Sequence, residues 1–173
     1  MSAPRIIGRA KQLEDLLKEA PCEAIAADLV MERTQLQLKH PMNDKISMKN
    51  VPILEKYGHL FEGSILDVGC MGGFLYEYLG KPYDYHGVDI WRQAILGAKA
   101  AYPEASFRVK DGFDVTDKFD TIWCSQIIDN RVPLLFEHLK TITKKHLIFC
   151  ARKDYQVDPF EMIGPLKVVV HAV

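Results

Sequence analysis

Apolar and polar positions change rhythm near residue 64. Before it the spacing is helical: Leu13, Leu16 and Leu17 recur at i, i+3 and i+4, and Pro21 interrupts the pattern. A second helical run extends from about Glu23 to Leu38, rich in Ala, Leu, Met and Gln. His40 to Lys45 concentrates Pro, Asn and Asp and reads as a loop. Val51, Leu54 and Tyr57 then mark a short helix ending at Gly58. From Ser64 onward, short apolar or β-branched runs alternate with helical patterns. The runs are SILDVG, YDYHGVDI, SFRVKD, FDTIWCS and KHLIFCA; between them lie GFLYEYLG, WRQAILGAKAAY and RVPLLFEHLKTITK. Strands alternating with helices imply parallel pairing, so the fold class is α/β, a doubly wound and mostly parallel sheet with helices on both faces.

The expected organisation is an N-terminal helical cap or lid segment over residues 1–60, packed with a ligand-binding α/β unit over 61–173. Only 23 residues follow Cys150, and LKVVVHAV is their one clear strand, so the sheet is expected to be abbreviated at its C-terminal edge.

At 173 residues the chain is long enough to bury one proper core. Its 22 Lys and Arg against 23 Asp and Glu give no electrostatic reason for unspecific binding to nucleic acid or membrane surfaces. The first sixty residues are balanced too, with nine basic and eight acidic side chains, so a lid built from them is no nucleic-acid clamp by charge. No apolar stretch is long enough to span a bilayer, and no signal peptide is visible. Cys22, Cys70, Cys124 and Cys150 lack metal-ligand spacing, and the last three lie in or beside apolar runs, where free cysteine packs as a small hydrophobe. A reduced, cytoplasmic protein is the expectation.

The chemistry sits where the rhythm changes. The apolar run Ile65–Val68 carries one acid, Asp67, and leads into Gly69, Gly72 and Gly73. A turn of low bulk lets a ligand approach the backbone. In a doubly wound sheet, ligands bind outside the carboxyl ends of the strands where strand order reverses. Asp89 ends the second strand, 22 residues after Asp67, where an acid accepts hydrogen bonds from both hydroxyls of a ribose. Asp111 ends the third strand, followed by Gly112 and Phe113, which suits an adenine amino group and ring. The dinucleotide pattern GxGxxG would require glycine at Met71 and Phe74, which counts against a nicotinamide or flavin oxidoreductase.

These segments, ILDVGCMGGF, HGVDI, VKDGFDV and FDTIWCS, resemble the successive motifs of class I S-adenosylmethionine (SAM)-dependent methyltransferases, over roughly Ser64 to Ala151. The resemblance implies a Rossmann-like fold and SAM as cofactor. It assigns Asp67 to organising the turn and the methionine end, with Gly69, Cys70, Met71 and Gly73 forming the turn itself. Asp89 would hold the ribose, Ile90 and Trp91 would flank adenine, and Asp111, Gly112 and Phe113 would meet its edge and ring. Cys124 closes the set from strand four. Met71 stands at the middle glycine of the family's GxGxG pattern, with Gly72 beside it.

Residues at the end of strand four usually face the transferable methyl, which makes Ser125, Gln126 and Asp129 the candidates nearest the chemistry, with Asn130 close by. No catalytic residue is legible. The chain lacks the Asp-Pro-Pro-Tyr type motif of amino-methylating DNA enzymes and the Lys-Asp-Lys-Glu set of ribose methylases, and it shows no metal-ligand spacing. His40 and Tyr57 are further residues that could approach the pocket from the N-terminal helices. The reading is methyl transfer from SAM to an unidentified acceptor, a small molecule or peptide ahead of nucleic acid. The alternative is a module of the same fold that binds SAM or a partner without catalysis.

Overall fold

The computed structural model of the chain describes residues 48–80, 83–127, 131–152 and 160–173. The two helices expected before residue 39, and with them most of the cap segment, His40, Asp129 and Asn130, lie outside the described residues.

Among these residues one seven-stranded sheet has the order β3-β2-β1-β4-β5-β7-β6. Its strands are β1 (Ser64–Val68), β2 (Asp84–Asp89), β3 (Ser106–Val109), β4 (Phe119–Ser125), β5 (Thr143–Arg152), β6 (Glu161–Ile163) and β7 (Leu166–Ala172). Strands β1 to β5 pair in parallel, and β7 runs antiparallel between β5 and β6. The helices are α1 (Val51–Tyr57), α2 (Phe74–Leu79), α3 (Arg92–Ala101) and α4 (Val132–Ile142). Strand order reverses between β1 and β4, and the glycine turn lies at that switch point.

Each face of the sheet has its own core. Ile65 and Tyr85 point to one face, where Ile53 and Leu54 of α1, Phe74 and Leu75 of α2, and Ile95 and Ala98 of α3 close over them. Leu66, Val68, Val88 and Ile122 point to the other, under Val132, Leu135, Phe136 and Leu139 of α4. The near-continuous apolar runs SILDV and FDTIWCS serve both cores, since successive strand residues face opposite sides and both faces are covered.

The C-terminal edge is short, though not through the loss of a strand. A β6–β7 hairpin is present, turning at Gly164 with φ 57°, and the abbreviation lies in β6, which has only three residues. Helix α4 also passes into β5 at Thr143 without an intervening loop, earlier than the run KHLIFCA suggests. Its hydroxyl donates to the Leu139 carbonyl at 2.7 Å, so Thr143 serves the last helical turn and the first strand position together.

Candidate functional site

The turn after β1 is held by the end of β2. Gly69 and Cys70 both donate their amides to the Val88 carbonyl, at 2.9 and 3.1 Å. The Met71 amide donates to Asp89 Oδ2 at 3.0 Å, and the Trp91 amide donates to Asp89 Oδ1 at 2.8 Å. Asp89 is 8% exposed. One carboxylate thus ties the glycine turn to the start of α3 and still has lone pairs on both oxygens for further donors.

Three of the five residues from Gly69 to Gly73 are left-handed: Gly69 at φ 78°, Met71 at φ 47° and Gly73 at φ 87°. Met71 therefore adopts the conformation that the middle glycine of GxGxG would supply, and it does so with a side chain, at a cost of about 1–2 kcal/mol. That side chain is exposed, as is the neighbouring Ile90, at 38% and 74%. These are two large apolar groups left uncovered at the carboxyl edge of the sheet. Gln126, at φ 57°, is the other non-glycine residue with positive φ among the described residues. Both unfavourable backbones stand at this one end of the sheet, a concentration typical of functional sites.

Asp67 lies beneath the turn. It is 3% exposed, and the Tyr85 hydroxyl donates to its Oδ2. Burial pushes its carboxyl up to about 7, against the opposing effect of the Tyr85 hydrogen bond and with a further upward push from the Asp89 charge. Tyr85 is itself held protonated by burial, so it remains a donor. Burial likewise raises the thiols of Cys70, Cys124 and Cys150. Cys124 packs in the core beneath α4, while Cys70 abuts Gly87 on the opposite face. These thiols have the character of packing groups.

Asp111, like Asp89, has both carboxylate oxygens engaged. Oδ1 accepts the Phe113 amide at 3.1 Å and Oδ2 accepts Arg131 at 3.2 Å. The Arg131 guanidinium also lies 4.7 Å from the centre of the Phe113 ring. Gly112 is buried against Val68, too close for any side chain: a Cβ there would stand 2.7 Å from the valine methyl. Over the turn itself, Ile127 reaches Gly69, where a Cβ would meet Cδ1 at 2.4 Å. Segments flanking β4 and α4 thus touch both ends of the row of predicted residues.

Sequence reasoning missed Asn50. It is 7% exposed, precedes α1, and its Oδ1 accepts from Ser125 Oγ at 2.7 Å and from Gln126 Nε2 at 3.0 Å. Only Pro52, two residues on and a common first-turn residue of helices, marks this position in the sequence. Tyr57 points elsewhere, donating to Glu161 of β6 at 2.6 Å. Among the described residues no group of three or more His, Cys, Asp or Glu is placed to hold a metal, and no helix is long and apolar enough to cross a membrane.

Residues 66–146 match the family model of a methyltransferase domain. Solved structures share the fold. Magnesium protoporphyrin IX methyltransferase from Synechocystis PCC 6803, with bound SAM, has a TM-score of 0.57 at 17% identity, covering 79% of this chain and 82% of that one. The plantazolicin methyltransferase BpumL, in complex with SAH, has a TM-score of 0.54 at 17% identity, with coverage of 87% and 60%. TehB from Haemophilus influenzae has a TM-score of 0.53 at 18% identity, with coverage of 59% and 40%, so this chain spans well under half of it. No curated protein matches the chain.

Proposed function

We propose that the chain is a class I SAM-dependent methyltransferase, on the match of residues 66–146 to the family model of a methyltransferase domain, and that it transfers the methyl group of SAM to a small-molecule or peptide acceptor. The observation that carries the reading is the Asp89 brace. It sets a low-bulk turn and a carboxylate with spare lone pairs side by side at the switch point of the sheet.

The residues present fit the cofactor. The left-handed turn Gly69–Gly73 leaves backbone open to the methionine end, and Asp67 beneath it is an acid whose charge can adjust to a cation. Asp89 would take the ribose hydroxyls, with Ile90 and Trp91 offering apolar surface to adenine. Asp111, Gly112 and Phe113 form the adenine edge, where Arg131 must share or yield its place. Cys70 and Cys124 support this cradle from within the core. When bound, SAM supplies an electrophilic methyl carbon.

The chain's own part is positioning. In-line displacement gains most from holding the acceptor in near-attack geometry. Ser125 ends β4 and Gln126 follows it, and Asn50 fixes both side chains through one oxygen. These neutral polar groups orient an acceptor by hydrogen bonds and suit one that is already nucleophilic near neutral pH. Asn50 belongs to the segment before residue 60, which supports placing that segment on the acceptor side as a cap. The balanced charge of the chain favours a small or peptide acceptor over a polyanion.

Isothermal titration with SAM and S-adenosylhomocysteine, with NAD as control, tests the reading. Binding of the sulfur ligands and not NAD is expected, followed by turnover in an acceptor screen. The second reading, a non-catalytic module, is favoured by one observation. Ile127 over Gly69 and Arg131 on Asp111 already occupy parts of the cradle. It predicts a well-folded protein that binds neither sulfur ligand, or that binds them without turnover.

A further inference from the structure

A second cleft lies on the α4 side of the sheet, over β2 and β3. Parallel strands are usually linked by a crossover helix, yet residues 110–118, which carry the chain from β3 to β4, contain only a 3-10 turn at Gly112–Asp114. Helix α4 covers the same face nearer β5. The face over β2 and β3 is therefore crossed by a strap that leaves a cleft of about 280 Å³ between itself and the sheet.

The strand register defines its surface. Leu66, His86 and Ser106 form one cross-strand row, and Val68, Val88 and Arg108 form the next. Leu66, Val88, Val115 and Phe119 supply an apolar floor, and the Phe119 ring lies 5.3 Å from the His86 ring. Arg108, Lys110, Lys118 and Lys144 stand around it, against two acids, Asp84 and Asp117. Asp84 is engaged by His86 at 2.9 Å, and Lys144 approaches Asp120 at 4.0 Å. Arg108, Lys110 and Lys118 make no ion pair with any described residue.

We propose that this cleft is a second ligand site, separate from the cofactor cradle, that takes a small organic phosphate. The apolar body rests on Leu66, Val115 and Phe119, and the phosphate lies among Arg108, Lys110 and Lys118. Three cations with no ion pair among the described residues, over an apolar floor, match a compact dianion attached to a hydrophobic group. The volume, the two acids at the rim and a net chain charge of −1 disfavour a nucleic-acid strand, whose flanking phosphates would be repelled. The inference does not rest on methyl transfer.

Phenyl phosphate is the probe, followed by ¹H–¹⁵N NMR on the full chain, with inorganic phosphate and phenol as comparison ligands. Saturable shifts of amides in 86–88, 106–110 and 117–119 are expected, stronger for phenyl phosphate than for either comparison ligand and unchanged by added SAM. The double variant Arg108→Ala/Lys118→Ala alters exposed side chains and keeps the fold; it should weaken binding about tenfold or more. The proposal is overturned by an absence of saturable shifts, by shifts confined to Gly69–Gly73 and Asp89–Trp91, or by equal binding to the double variant. It is also overturned if the same amides respond to protein concentration or to an RNA oligonucleotide in place of the phosphate, since a second copy or a nucleic acid would then be the occupant.

Discussion

The Met71 amide donates to Asp89 Oδ2 at 3.0 Å, so the least expected residue of the turn is held by the most diagnostic acid of the site. Asp89 is then both brace and ligand group. Asp89→Ala orphans the Met71 and Trp91 amides and should cost about 1–3 kcal/mol of stability besides weakening SAM binding. Asp89→Asn keeps one carbonyl acceptor and should fall between the two. Denaturant unfolding and calorimetry on both variants separate the roles; full stability with lost affinity would leave Asp89 as ligand group alone.

Met71→Gly places the residue best suited to φ 47° at that position. Relief of the left-handed backbone, less the entropy glycine gains when unfolded, should raise stability by up to about 1 kcal/mol. SAM affinity should hold. A marked loss of affinity would show that the exposed thioether is itself a contact.

Asp67 gives the apo protein a pH signature. Its carboxyl ordinarily titrates near 3.8, and burial pushes it up to about 7. Between those values the folded chain keeps a proton that the unfolded chain has released, so this group's contribution falls as pH rises from about 4 to about 7. Asp67→Asn can still accept from Tyr85 and should flatten that part of the curve. Melting temperature against pH for the two proteins is the measurement, and parallel curves would exclude Asp67 as the source.

Asn50→Ala removes the shared acceptor of Ser125 Oγ and Gln126 Nε2. With an acceptor substrate in hand, kcat should drop on the order of tenfold while the SAM Kd stays put. An equal drop in SAM affinity would place Asn50 on the cofactor side.

Arg131→Ala frees Asp111 Oδ2 and uncovers the Phe113 ring. If Arg131 competes with adenine, SAM binding tightens. Weaker binding would mean that the guanidinium stacks on the base, and calorimetry decides.

What the sequence made legible was whatever local pattern encodes. The apolar runs SILDV and FDTIWCS, set between helical patterns, marked the parallel strands, and the spacing from Asp67 to Asp89 marked two neighbouring strands. The β6 strand was not legible because three residues carry no period; Gly164 and Pro165 announce a turn without saying that it closes a hairpin. Asn50 lies 75 residues from Ser125, and no local signal connects them. Arg131 was missed for the same reason, because its partnership with Asp111 spans 20 residues and belongs to the packing of α4 against the 3-10 turn.

The hydrogen bond from Tyr57 to Glu161 joins residues 104 apart, and Lys56 pairs with the same carboxylate. Ile53 and Leu54 of α1 share their core with Leu166 and Val168 of β7. The first described helix therefore has its apolar face completed only when the β6–β7 hairpin docks. Closing contacts of such sequence separation costs loop entropy, so α1 is expected to gain its protection only together with the hairpin. Cutting the chain after Arg152 would remove that hairpin and strand α1 as well, so the two remote segments should lose amide-exchange protection together, as one cooperative unit.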